Sequence, residues 1–78
     1  MSAFTQLQDI MAAALEIPAD AISEDATMED IEEWDSLGHV HIMVALEQAF
    51  DLYMDVEDFA ELDSVPAILQ YLASENVA

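Results

Sequence analysis

The sequence predicts an all-α protein: a four-helix bundle of three longer helices and one short helix, with a long loop between helices 1 and 2. Three observations carry that prediction. Apolar residues recur at three- and four-residue intervals in separate stretches of the 78-residue chain, the mark of one-sided helices. No stretch alternates apolar and polar residues as a half-buried strand does. The apolar share of 55% is enough for one packed core, and the length leaves no room for a second, so residues 1–78 read as a single domain.

The elements follow in order. Phe4, Leu7, Ile10, Met11, Ala14 and Leu15 share one face of a first helix over residues 2–15, with Ser2 as its cap. Pro18 disfavours helical backbone at Ile17, so this helix stops near Glu16. Residues 19–35 are rich in Asp, Glu, Ser and Thr. A connection that long is uncommon unless pinned, and Ile22, Met28, Ile31 and Trp34 are the candidate pins. Within it, Thr27 and Asp30 have the spacing to cap a single helical turn.

The second helix spans residues 36–50. Its apolar positions form two sets, Leu37, Val40, Val44 and Ala45 against Ile42, Met43, Leu46 and Phe50, so one can face a core while the other stays exposed. Burying a large apolar side chain is worth roughly 1.5 to 3 kcal/mol. An exposed Val40 or Val44 forgoes that gain and invites a partner. Asp55 caps a short third helix over residues 56–62. Ser64 caps the last helix, which tolerates Pro66 in its first turn and builds its core face from Val65, Ile68, Leu69 and Leu72.

The charge is one-sided: 18 Asp plus Glu, no Lys, no Arg and two His, for a formal net charge of -18. Such a surface repels nucleic acid and anionic lipid, whose phosphates need cations to neutralise them. Partners are therefore expected to be basic and salt-sensitive in their binding. Crowded carboxylates also push the fold apart, so added salt or divalent cation is expected to raise the melting temperature. With no Cys there is no disulfide, thiolate metal site or side-chain thiol nucleophile; with no Lys or Arg there is no Schiff base and no guanidinium clamp for a phosphate. The N-terminal stretch has neither a basic region nor a long apolar run, so a cytoplasmic location is the expectation; the apolar stretches are too short to span a bilayer, and a monomer is expected.

Ser36 is the residue whose chemistry needs explaining. One reading makes it the N-cap of the second helix, with Asp35 as the alternative cap; the other makes its hydroxyl an attachment point, where a phosphodiester would sit at the positive end of the helix dipole. Hydrolysis is disfavoured. A nucleophile elbow needs Gly on both sides of the serine, and Trp34 stands where the first belongs. His39 and His41 point in different directions on a helix and read as surface histidines, not joint metal ligands. The acidic run before Ser36 lacks the Gly of a calcium loop, so no dedicated metal site is expected. The five Met read as core filler. Gly38 is either drift at a tolerant position or clearance that lets another backbone or a tethered group lie close; Trp34 is either a core pin or an exposed contact.

Asp35-Ser36-Leu37 at the start of a helix that continues through Val40 and Ala45-Leu46-Glu47 to Phe50 resembles an acyl carrier protein, and the likeness covers essentially the whole chain. It implies that Ser36 carries a 4'-phosphopantetheine arm, transferred from coenzyme A by a phosphopantetheinyl transferase. It implies a carrier of acyl thioesters for fatty acid, polyketide or related biosynthesis, with no catalytic activity of its own. By the same likeness the second helix is read by acyl-transferring, condensing or modifying enzymes with basic patches, through Asp35, Leu37, Gly38, Val40, His41, Val44 and Glu47. The chain departs from housekeeping fatty-acid carriers at Gly38, His41 and Ala49, and "WDSLGH" is more similar to freestanding carriers of specialised pathways. The competing class is an acidic interaction protein that binds basic partners without a prosthetic group.

Overall fold

The computed structural model describes residues 2–76 and contains α1 (Ala3–Leu15), α2 (Ser36–Phe50), α3 (Val56–Glu61) and α4 (Val65–Ser74). The all-α expectation holds, and α2 begins and ends where the apolar spacing places it.

Local chemistry sets the helix ends. The Ser2 side chain accepts a hydrogen bond from the Thr5 amide and opens α1, and the chain leaves it through Glu16 in the left-handed region at φ 57°. Asp51 ends α2 in the same way at φ 54°. Ser64 accepts from the Ala67 amide to open α4, with Pro66 in the first turn. In α3 the Asp55 carboxylate accepts from the Asp58 amide at 3.0 Å and Asp58 accepts from the Asp55 amide at 3.3 Å, a reciprocal capping box. That helix ends at Glu61 and not at residue 62. Leu62 leaves helical geometry at ψ 58° and buries its side chain in the core.

The long connection is anchored. It starts with a single 3-10 turn at Ala19–Ala21, which the sequence pattern did not indicate. Ile22, Ala26, Ile31 and Trp34 are buried, while the expected pin Met28 is only half-buried. Met28 still packs against the core, and Ala26 is an added pin where the chain runs beside the start of α4: the Val65 amide donates to the Ala26 carbonyl at 2.8 Å and the Met28 amide to the Asp63 carbonyl at 3.1 Å. A pair of backbone bonds at that point favours a small inward residue. The Gln8 side-chain amide ties the loop to α1 through the Ile22 carbonyl at 2.9 Å. Thr27 and Asp30 close a hydrogen-bonded turn in which the Asp30 carboxylate accepts from the Thr27 amide.

Around these pins the core collects Leu7, Met11 and Leu15 of α1, Ile42, Met43 and Leu46 of α2, and Val65, Ile68 and Leu72 of α4. Of the five Met read as core filler, Met11, Met43 and Met54 are buried and Met28 is half-buried, while Met1 lies outside the described residues. No polar or charged residue is buried among the described residues.

Candidate functional site

The acidic loop delivers the chain to the first turn of α2 through a tight turn in which the Trp34 amide donates to the Ile31 carbonyl at 3.0 Å. Asp35 is the cap: its backbone is extended at φ -98° and ψ -167°, and its Oδ1 accepts from the Gly38 amide at 2.8 Å. Of the two caps the sequence allowed, the carboxylate wins because it puts negative charge at the positive end of the helix dipole and accepts a stronger bond than a hydroxyl does. Ser36 is thereby the first helical residue and lies exposed, and among the described residues its hydroxyl makes no hydrogen bond within the chain.

The recognition residues read from the sequence divide. Asp35, Leu37, Val40, His41 and Val44 are exposed, with Leu37 at 65%. Gly38 is buried and faces inward. A Cβ there would stand 2.5 Å from the Glu33 carbonyl oxygen and 2.7 Å from Leu15, so the clearance it gives serves this chain's own loop and first helix, not a partner. Glu47 is half-buried, and its Oε2 accepts from the Met54 amide at 3.0 Å, holding the connection into α3.

At two further positions burial decides between readings or changes one. Trp34 is a core pin, 1% exposed. His39 is half-buried and not a surface residue, since both ring nitrogens are engaged, Nδ1 by the Trp34 indole N–H at 3.0 Å and Nε2 by the Phe59 carbonyl at 2.6 Å. Sequence reasoning also missed Tyr53 and Val56, 87% and 82% exposed where α2 gives way to α3. Periodicity has no power there, because the stretch between the helices is too short to show which of its apolar residues faces out.

No group of three or more His, Cys, Asp or Glu suited to a metal ion occurs among the described residues, and no described helix is long and apolar enough to cross a membrane. What remains is a small helical bundle that presents one exposed, unengaged serine at a helix start. A family model for the phosphopantetheine attachment site matches residues 5–72. The chain is 34% identical over 73 residues to an acyl carrier protein of Syntrophobacter fumaroxidans, covering 94% of this chain and 90% of the relative. It is 33% identical over 73 residues to the acyl carrier protein of Clostridium acetobutylicum, covering 94% and 95% respectively. Over 78 residues and the whole of both chains it is 30% identical to that of Bdellovibrio bacteriovorus.

The chain belongs to the acyl carrier protein family. Its function is to carry acyl intermediates on a covalently attached 4'-phosphopantetheine group. Members of the family work with acyl-handling enzymes and a phosphopantetheinyl transferase. The site fits such a group: the exposed hydroxyl has no internal partner to give up, and a phosphodiester on it would meet the positive end of the α2 dipole.

Proposed function

We propose that Ser36 is the attachment residue and that the chain acts as a carrier without catalytic activity. The observation that carries this reading is the division of labour at the start of α2, where Asp35 caps the helix and leaves the neighbouring hydroxyl exposed and unengaged. The Ser36 oxygen forms a phosphodiester by displacing the adenosine bisphosphate portion of coenzyme A, and its proton passes to a base of the transferase. The arm supplies a thiol that binds acyl groups as thioesters. The chain itself contributes no Cys that could compete for the acyl group and no Lys that could attack the thioester.

Leu37, Val40 and Val44 on α2, with Tyr53 and Val56 beyond it, form the exposed apolar part of the partner surface, and Asp35 and His41 flank it. In a chain of net charge -18 that surface fits partners whose apolar patch is ringed by Lys and Arg. The protein acts in the cytoplasm as a monomer, its own charge opposing self-association.

The apo protein, incubated with coenzyme A, Mg2+ and a phosphopantetheinyl transferase, is expected to gain the mass of one phosphopantetheine, and Ser36→Ala to gain none. A folded wild-type chain that gains nothing refutes the assignment. Binding of basic proteins by the unmodified chain, unchanged in Ser36→Ala, would favour the acidic interaction protein instead.

A further inference from the structure

We propose that His39 is a positioning residue for Ser36, acting through Trp34 and α3; the proposal rests on Ser36 as the attachment residue. Trp34 lies two residues before Ser36 and His39 three after it, so the 3.0 Å bond from the indole N–H to His39 Nδ1 closes a staple across the serine. An indole nitrogen only donates, so Nδ1 must offer a lone pair and the neutral ring carries its proton on Nε2. That proton points at the Phe59 carbonyl of α3, 2.6 Å away, which only accepts. Both bonds need the same tautomer, and one imidazole therefore joins the loop, α2 and α3.

The need for such a tie follows from the serine. Its hydroxyl makes no bond within the chain among the described residues, so its place depends on the backbone of residues 34–39 alone. Within that span the Asp35 carboxylate holds the Gly38 amide, and Gly38 lets the Glu33 carbonyl approach the helix. Neither contact fixes the Trp34 side chain, whose indole is enclosed and whose one side-chain hydrogen-bonding group is the N–H that His39 accepts. No residue of α3 is fully buried and only Phe59 packs against the core, so the bond to the Phe59 carbonyl adds a polar attachment of that helix beside the site. Misplacement of a reacting atom by about 1 Å can lower a rate as much as 100-fold.

The test is arm transfer from coenzyme A by a phosphopantetheinyl transferase, with wild type, His39→Gln, His39→Leu, Trp34→Phe and the His39→Leu/Trp34→Phe double variant as substrates. Glutamine can accept with one amide atom and donate with the other, so it is the conservative replacement; leucine fills the space without either bond. In His39→Leu and Trp34→Phe, kcat is expected to fall about tenfold with KM within about twofold of wild type, the double variant to be no worse than His39→Leu, and His39→Gln to recover most of the rate. As the only tryptophan, Trp34 gives a single indole N–H resonance, expected to resist solvent exchange in wild type and His39→Gln and to exchange freely in His39→Leu.

Wild-type kcat in folded His39→Leu and Trp34→Phe, a loss confined to KM, or a Gln variant as slow as the Leu variant overturns the proposal and leaves Ser36 as the attachment residue. If His39→Leu does not fold, His39→Gln and Trp34→Phe decide by the same criteria. A wild-type chain that never accepts the arm overturns both readings together.

Discussion

Residues 19–35 have almost no regular structure, yet bury Ile22, Ala26, Ile31 and Trp34; α3 is regular from Val56 to Glu61 and fully buries no residue, with Phe59 only half-buried against the core. The difference separates two sources of order. The loop is held by long-range contacts: side chains driven into the core and backbone bonds to the start of α4. The helix is held by bonds within its own first turn, by Glu47 at its approach, by His39 at the Phe59 carbonyl and by the half-buried Phe59 side chain. Segments with few buried contacts open at a lower free energy than the molecule as a whole. The irregular loop should therefore unfold only with the whole bundle, and α3 should open alone.

The largest expected effect breaks the loop side of this contrast. Ile22→Ala removes a fully enclosed pin and is expected to cost about 2 to 5 kcal/mol of global stability, read from the urea midpoint. A cost below about 1 kcal/mol would mean that the loop is draped on the core and does not anchor it.

Gly38→Ala tests the join between loop and α2. The new Cβ meets a backbone oxygen that cannot swing aside, so overpacking outweighs the better helix propensity. The net loss is expected to be about 1 to 2 kcal/mol, and a stabilised variant would show that the loop gives way easily.

Asp55→Ala removes the capping box of α3 and is expected to cost about 1 kcal/mol locally. Amides of α3 would then exchange faster while the urea midpoint hardly moves. Equal losses in exchange and midpoint would show that α3 is coupled to the whole fold.

The smallest effect is a pH reading of where α3 sits. Partial burial pushes the Tyr71 phenol above its ordinary 10.0, and the carboxylates of Asp58, Glu75, Asp55 and Glu47 push it further. A raised folded pKa favours the protonated phenol, so its contribution to stability is complete below pH 10 and is lost as pH rises through the raised value. Asp58→Asn is expected to lower the pH at which tyrosinate absorbance from Tyr71 appears. No change would place α3 farther from Tyr71 than the fold does.

The sequence carried what is local. Ser2, Asp55 and Ser64 cap the helices they were expected to cap, because a cap is written within three or four residues, and the apolar spacing of α1, α2 and α4 marks their inner faces directly. The exposed serine at the start of α2 was legible for the same reason. What could not be read depends on residues far apart in the chain. Ala26 joins the half-buried Met28 as a pin where the chain meets Val65, and His39 turns inward to meet Phe59, 20 residues away. Gly38 could be read as drift or as clearance; it is clearance, and the Glu33 carbonyl and Leu15 of this chain occupy it.

The two left-handed corners at Glu16 and Asp51 have one more consequence. Each holds a side chain in a backbone conformation that glycine adopts without cost, and each sets a carboxylate against the negative end of the helix it terminates. Heat tolerance has been left unclaimed at both corners. Directed evolution for thermophily would find its first gains at these corners.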